Sequence, residues 1–210
     1  MVDVILKFFH LINVITAYKP SEYSKLIRKS TKEKHDKIES HPFIKRLIDG
    51  KLTDREYYTY LTNIIYIYRE IEQNFFNDLK NMDLLQTSKI LEDINNYKVL
   101  LQSESPAVEV EKSFYSEWLN SIRLKPRFFR KTDLYLRWLA DMYGGQILKR
   151  RVRYNSVFQF KDIRSKIKKI RVFIELGLDE HNIQQFINHI NNSYDLHYKM
   201  VDNIDKYLNG

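Results

Sequence analysis

Residues that interrupt regular secondary structure are rare in this chain, and their scarcity limits the folds available to it. Only five glycines and four prolines occur among 210 residues, which favours long helices with short connections. Apolar side chains recur at helical spacing through most of the sequence, and no segment shows the alternation of a half-buried strand. The pattern predicts an all-α, single-domain fold of about eight helices.

Local signals set the expected bounds of these helices. Pro42 and Gly50 are placed to begin and end a short helix, and Thr53 with Glu56 has the spacing of a capping box. Residues 1–20 are expected to form an N-terminal extension, possibly helical, ahead of a helical domain over 21–210. The predicted helices span 21–40, 42–49, 53–79, 85–102, 105–125, 133–153, 160–176 and 180–208.

Composition narrows the class of function. The absence of cysteine excludes disulfides, thiolate metal sites and a cysteine nucleophile. The net charge of +8 is spread along the chain without a nucleic-acid motif, so an anionic ligand or an acidic protein is expected rather than nucleic acid. No apolar run reaches the length of a membrane span. A soluble, cytoplasmic protein without a membrane anchor is expected, with an organelle as the alternative.

Two of the five glycines, Gly144 and Gly145, stand side by side inside the predicted helix 133–153. Each costs about 1 kcal/mol relative to alanine in a helix interior, and a pair permits a kink and a close approach to the backbone. One interpretation is a tight crossing with another helix. The other is a flat ligand against the backbone, with Asp141 as a polar group beside it.

His35 carries a similar ambiguity in the predicted helix 21–40. It shares a face with Ile27, Thr31 and Ile38. A histidine on an apolar face is often a core residue with a satisfied hydrogen bond. The alternative is a ligand to iron, with Glu39 one turn later as the partner that orients the imidazole.

Two motifs resemble those of the heme oxygenase family. The first is Thr-Lys-Glu-Lys-His, residues 31–35, and the second is Asp-Met-Tyr-Gly-Gly-Gln, residues 141–146, with Tyr135 upstream. Between them lies an aromatic helix that contains Tyr-Ile-Tyr-Arg-Glu-Ile-Glu, residues 66–72. Both motifs occur in the family's order and at its spacing, and the resemblance covers roughly residues 22–208.

The resemblance implies that heme b, both substrate and cofactor, is held between two helices. His35 would bind the iron, and Gly144 and Gly145 would let the opposite helix pass close over the other face. Asp141 would organise water and deliver protons, with Tyr68 in the same hydrogen-bond network. The other residues implied at the heme are Arg28, Glu39, Tyr135, Tyr143, Lys168, Arg171 and Tyr194, with the basic residues and Tyr135 placed at the propionates.

Two positions depart from the family's second motif. Ala140 replaces a glycine and Tyr143 replaces a serine, so an extra methyl and a phenol occupy the catalytic helix. The leading hypothesis is oxygen-dependent cleavage of heme to biliverdin, carbon monoxide and ferrous iron. The chain has no flavin or nucleotide motif, and its basic surface favours a ferredoxin over a membrane-bound flavoprotein as electron donor. The alternatives are a heme-binding protein without turnover and a helical interaction protein that binds no heme.

Overall fold

The computed structural model describes residues 21–104 and 113–209, and within these ranges every regular element is a helix. The predicted all-α, single-domain fold is confirmed. The predicted extension 1–20 and the predicted helix start at residue 105 lie outside the described residues. The α-helices are α1 Glu22–Ser30, α2 Lys32–Glu39, α3 Pro42–Asp49, α4 Asp54–Asn81, α5 Thr87–Glu104, α6 Ser116–Leu124, α7 Lys131–Tyr143, α8 Gly145–Leu148, α9 Ile163–Glu175 and α10 Ile183–Asn209, with 3-10 turns at Arg127–Arg130 and Ser156–Phe158.

Ten helices appear within the described residues, where eight were predicted, because two predicted helices are each divided. The helix predicted over 21–40 breaks at Thr31, whose backbone is non-helical at φ −106° and ψ 0°. The Thr31 hydroxyl donates to the Ile27 carbonyl at 2.9 Å, a local bond that competes with helix geometry. The helix predicted over 133–153 divides at Gly144 and ends at Leu148.

Two predicted capping signals are present, one at the start of α4 and one at the end of α3. The Thr53 side chain accepts from the Glu56 backbone, and the Glu56 side chain accepts from the Thr53 backbone, so the capping box that starts α4 is complete. Gly50 ends α3 at φ +69°, a left-handed conformation that favours glycine. These signals are read from a few adjacent residues, which is why the sequence predicts them well.

A buried ion pair fixes α7 in the middle of the fold. Lys125 Nζ lies 2.7 Å from the Asp133 carboxylate, and both side chains are almost fully buried. Trp118 Nε1 and Ser193 Oγ donate to the same carboxylate at 2.8 and 2.7 Å. Asp133 therefore ties α7 to α6 and to α10. Farther along α7, Trp138 Nε1 donates to the Leu84 carbonyl at 2.7 Å.

A second buried carboxylate positions the segment that follows α8. Asp93 on α5 accepts from the backbone amides of Ser156 and Val157 at 2.8 and 3.1 Å. These bonds hold the second 3-10 turn and bring the buried Phe158 ring against α8. In the described part of the chain, no helix is long and apolar enough to cross a membrane.

Candidate heme site

Asp141 lies at the centre of a buried hydrogen-bond cluster between α4 and α7. Its carboxylate accepts from the Tyr68 hydroxyl and, at 3.1 Å, from Arg137 Nη2. Arg137 Nε also donates to the Tyr68 oxygen at 3.2 Å, and all three side chains are buried. The sequence predicts that Asp141 and Tyr68 share a network, and the structure brings them into direct contact.

Burial governs the protonation of this cluster. It raises the pKa of Asp141, although Arg137 and the hydrogen bond from Tyr68 oppose the rise. Burial also raises the pKa of Tyr68 well above its usual value, with Arg137 acting in the opposite direction. Tyr68 is therefore a hydrogen-bond donor at neutral pH. Asp141 holds its proton more strongly than a solvated aspartate, as a group that delivers protons requires.

Arg137 was not among the predicted site residues, although a signal for it exists in the sequence. It precedes Asp141 by four residues, the spacing at which opposite charges meet on one helix face. In an exposed helix such a pair is common and uninformative. Here both partners are buried, at 6% and 3% exposure, and burial could not be read from the pattern.

A small cavity lies beside the carboxylate. It has a volume of about 10 Å³ and is lined by Asp141, Tyr57, Tyr60 and Phe158, among others. This is close to the volume that a single water molecule needs. The Tyr57 hydroxyl is buried and has no hydrogen-bond partner within residues 21–104 and 113–209. The cavity thus offers a polar position for water next to the acid.

His197 extends this polar region toward α10. Its Nε2 lies 3.4 Å from the Tyr60 oxygen, and its ring packs on Trp118 at 5.2 Å between centroids. Burial, followed by the nearby charges of Arg137 and His41, holds the pKa of His197 well below its usual value. The imidazole is therefore neutral at pH 7 and can accept from Tyr60.

His35 lies on α2 with a side chain that is 40% exposed, so it is not the buried core histidine that its face predicts. Its Nε2 lies 3.6 Å from Glu39 Oε1, and its Nδ1 lies 3.7 Å from Asp36 Oδ1. Burial raises the pKa of Glu39, while His35 acts to lower it. The imidazole is thus accessible to a ligand from outside and flanked by two carboxylates.

Tyr194 and Tyr135 connect the His35 region to α7. The Tyr194 ring meets the His35 ring edge-on, with 6.1 Å between centroids. Burial raises the pKa of Tyr194, and Tyr135 and Glu39 add to the rise. Tyr194 therefore lies within electrostatic range of both α2 and α7.

One strip of α7 remains accessible although most of the helix is buried. Ala140 is exposed, and Tyr143 and Gly144 are partly exposed, at the i, i+3 and i+4 spacing of a single helix face. We call these three residues the open face of α7. Ala140, where the family has glycine, thus adds its methyl to the accessible face.

The two adjacent glycines have different surroundings. A Cβ on Gly145 would lie 2.5 Å from the Phe158 ring, so glycine is required there by packing against the protein itself. A Cβ on Gly144 would meet only the Ala140 carbonyl of its own helix, at 3.0 Å. Each interpretation of the pair therefore applies to one glycine: a tight internal contact at Gly145 and an accessible backbone at Gly144.

Basic residues lie at one end of the open face. The Arg171 guanidinium is 5.6 Å from the centre of the Tyr143 ring. Burial raises the pKa of Tyr143, while the charges of Arg171 and Arg28 act to lower it. The same two arginines act on Tyr135. Of the predicted propionate partners, Arg28, Tyr135 and Arg171 are therefore close together.

The lysines of α9 differ in exposure and in contacts. Lys168 is exposed, three residues before Arg171. Lys166 is buried and donates to the Asp83 carbonyl at 2.7 Å and to its carboxylate at 2.5 Å. Lys166 therefore supports the left-handed turn at Asp83 (φ +54°), and this role was not evident from the sequence.

Comparison with known proteins gives one consistent match. The family model described as heme oxygenase matches residues 21–203. A heme oxygenase from Pyropia yezoensis is 23% identical over 204 residues, which cover 85% of this chain and 84% of that protein.

Solved structures share the fold. Heme oxygenase-1 from the cyanobacterium Synechocystis, in complex with heme, superposes with a TM-score of 0.73 at 16% identity, covering 90% of this chain and 94% of that one. Heme oxygenase from Leptospira interrogans gives 0.72 at 19% identity, covering 87% and 100%.

Proposed function

Because the chain belongs to the heme oxygenase family, we propose that it cleaves heme to biliverdin, carbon monoxide and ferrous iron. Oxygen is the oxidant, and the electrons come from a separate reductase. The observation that carries the proposal is the buried cluster in which Tyr68 of α4 contacts Asp141 and Arg137 of α7, the helix that presents the open face. A buried acid beside an accessible strip of backbone suits proton delivery to a flat substrate.

The described residues fit heme as that substrate. Gly144 leaves the open face without a side chain at its centre. His35 presents a partly exposed imidazole, and a neutral imidazole is the commonest metal ligand among side chains. Arg28 and Arg171 supply cations for two carboxylates at the opposite end.

We assign His35 as the iron ligand. Each ring nitrogen lies beside a carboxylate, Nδ1 beside Asp36 and Nε2 beside Glu39. The nitrogen that does not bind iron would then keep Glu39 or Asp36 as its partner, which orients the imidazole. Tyr194 packs edge-on against the ring and limits its rotation.

Asp141 is assigned as the residue that supplies protons. Bound heme supplies the iron at which oxygen reacts and the porphyrin ring that is opened. Tyr68 and Arg137 hold the Asp141 carboxyl in place, and the adjacent cavity can hold water that carries its proton. Tyr60 of α4 interacts with Arg137 and in turn contacts His197 of α10.

The electron donor proposed is an acidic ferredoxin. The chain carries a net charge of +8, and complementary charge accelerates the association of redox partners. Turnover driven by ferredoxin and its reductase should therefore slow as ionic strength rises, whereas turnover driven by ascorbate should not. A cytoplasmic location is part of the same proposal and rests on the cysteine-free composition.

A hemin titration followed by reduction in air tests the function. Hemin should give a Soret band that saturates at one equivalent, and ascorbate or reduced ferredoxin should convert it to biliverdin absorbance. His35→Ala should shift or weaken the band, whereas His181→Ala, an exposed histidine near the start of α10, should leave it unchanged. Absence of any Soret shift would leave a helical protein that binds no heme.

A second candidate function is heme binding without turnover. It is favoured by Ala140 and Tyr143, which place a methyl and a phenol on the open face. In that case the Soret band forms with hemin but survives reduction in air. Restoring the family residues in the double variant Ala140→Gly with Tyr143→Ser should then produce biliverdin.

A further inference from the structure

We propose that the Tyr143 hydroxyl donates a hydrogen bond to a propionate of bound heme, next to Arg171. The inference rests on the proposed function in requiring that heme binds on the open face of α7. It assigns to Tyr143 a part in positioning the substrate, in place of the serine that the family has there.

The first observation is an unsatisfied donor. The Tyr143 hydroxyl is buried and has no hydrogen-bond partner in the described ranges. Buried polar groups almost always have a partner, because an unpaired one loses its hydration without compensation. The ring itself is only partly buried and belongs to the open face. The hydroxyl is enclosed in the ligand-free protein, so a ligand on that face would supply the missing acceptor once the partly exposed side chain turns toward it.

The second observation is the charge around the phenol. Arg171 lies 5.6 Å from the ring centre, and Arg28 also acts on the hydroxyl electrostatically. Burial raises the pKa of Tyr143 in spite of both cations, so the phenol is protonated at neutral pH and acts as a donor. A neutral donor in the field of two cations is suited to a carboxylate.

The third observation is the kind of charge near Tyr143. The guanidinium of Arg171 lies 5.6 Å from the ring centre, and the charged groups that act on the phenol are Arg171 and Arg28. Both are cations, which is the surrounding that a carboxylate of the ligand requires.

The experiment compares two ligands in two proteins. Hemin carries free propionates, and hemin dimethyl ester has the same ring without the two negative charges. Tyr143→Phe should bind hemin about tenfold or more weakly, as expected for the loss of a hydrogen bond to a charged group. Its affinity for the ester should change by less than about twofold. Tyr115→Phe, a ring that stacks on Tyr66, is the matched control and should behave as wild type with both ligands.

Ligand-free protein provides an independent measurement. Because the Tyr143 hydroxyl has no partner in the described chain, Tyr143→Phe should leave the melting temperature unchanged or raise it. A clear fall would show that the hydroxyl is bonded within the protein and would overturn the proposal.

Three further outcomes would contradict the proposed hydrogen bond. Equal losses for hemin and its ester would mean that the hydroxyl contacts a part of heme other than the propionate charge. An unchanged hemin affinity would mean that the hydroxyl makes no hydrogen bond to heme and that the ring at most packs on the porphyrin. A phenolate-to-iron charge-transfer band that disappears in Tyr143→Phe would make Tyr143 an iron ligand instead. If wild type binds neither ligand, the proposed function itself has failed, which is a result distinct from all of these.

Discussion

Replacing Gly145 with alanine should destabilise the fold, because the added methyl group has no room. A Cβ there would lie 2.5 Å from Phe158 Cδ1, 3.1 Å from Cγ and 3.3 Å from Cε1. Phe158 is only 5% exposed, and its turn is held by the hydrogen bonds to Asp93, so the ring cannot move aside freely. Overpacking of this kind costs about 1–3 kcal/mol.

Gly144→Ala is the matched control. Gly144 has helical backbone angles, φ −71° and ψ −36°, and Gly145 begins α8. Both substitutions therefore gain a similar stabilisation of about 0.4–1 kcal/mol from the reduced entropy of the unfolded chain. At Gly144 the new Cβ would meet only the Ala140 carbonyl at 3.0 Å. Because this contact is itself tight, the difference between the two variants is a lower limit for the cost of the contact with Phe158. Gly145→Ala should be the less stable by up to about 1–3 kcal/mol.

Urea denaturation measures this difference, provided that the free energy of unfolding of both variants has the same dependence on urea concentration. Phe158→Leu, combined with each glycine variant, should recover part of the loss in Gly145→Ala and none in Gly144→Ala. In hemin binding the order should reverse, because only the methyl at Gly144 projects onto the open face. Equal free energies of unfolding for Gly144→Ala and Gly145→Ala would refute the assignment of separate roles to the two glycines.

Three further predictions concern groups elsewhere in the fold. Asp141→Asn should retain hemin binding but lower biliverdin formation by about 10²–10⁴-fold, as expected for loss of a general acid; equal turnover in single-cycle assays would exclude Asp141 as the proton source. Lys125→Met should lower the free energy of unfolding by about 3–5 kcal/mol, because it leaves the Asp133 carboxylate buried without its cation, whereas Lys168→Met on the surface should change it by less than about 0.5 kcal/mol. Burial acts to raise the pKa of Glu56, but hydrogen bonds from the Thr53 backbone and from Arg46 lower it overall. The carboxylate therefore stabilises the fold fully at pH values above its pKa in the unfolded chain. This stabilisation is lost as the pH falls through its pKa in the folded protein. Glu56→Gln should accordingly cost about 1 kcal/mol at pH 7 and progressively less below about pH 4 in urea titrations.

The elements that the sequence predicts best depend on neighbouring residues. The Thr53 and Glu56 capping box and the terminal Gly50 need only local geometry, and both occur as predicted. The break at Thr31 depends on a bond from its hydroxyl to the Ile27 carbonyl. The apolar spacing carries no sign of such a bond. For this reason it predicts one long helix over 21–40.

The residues of the candidate site also differ in how well the sequence predicts their contacts. The shared network of Asp141 and Tyr68 is implied by the family resemblance, whereas the place of Arg137 in it depends on burial by other helices. The separate surroundings of Gly144 and Gly145 depend on Phe158, which the Asp93 carboxylate brings in from a later segment. Interactions of this range leave no periodic trace in the sequence. The iron ligation by His35 and the propionate roles stay predictions.

The position of Phe158 also determines where the site can open. Its ring blocks Gly145 on one side and borders the cavity beside Asp141 on the other, so α8 cannot shift without disturbing both. Gly144 is limited only by a carbonyl of its own helix. Access to the open face should therefore depend on the backbone at Gly144, since Phe158 fixes α8 and the Asp141 cluster fixes the end of α7. The rate at which a bulky product leaves would then be set by the backbone freedom of a single residue.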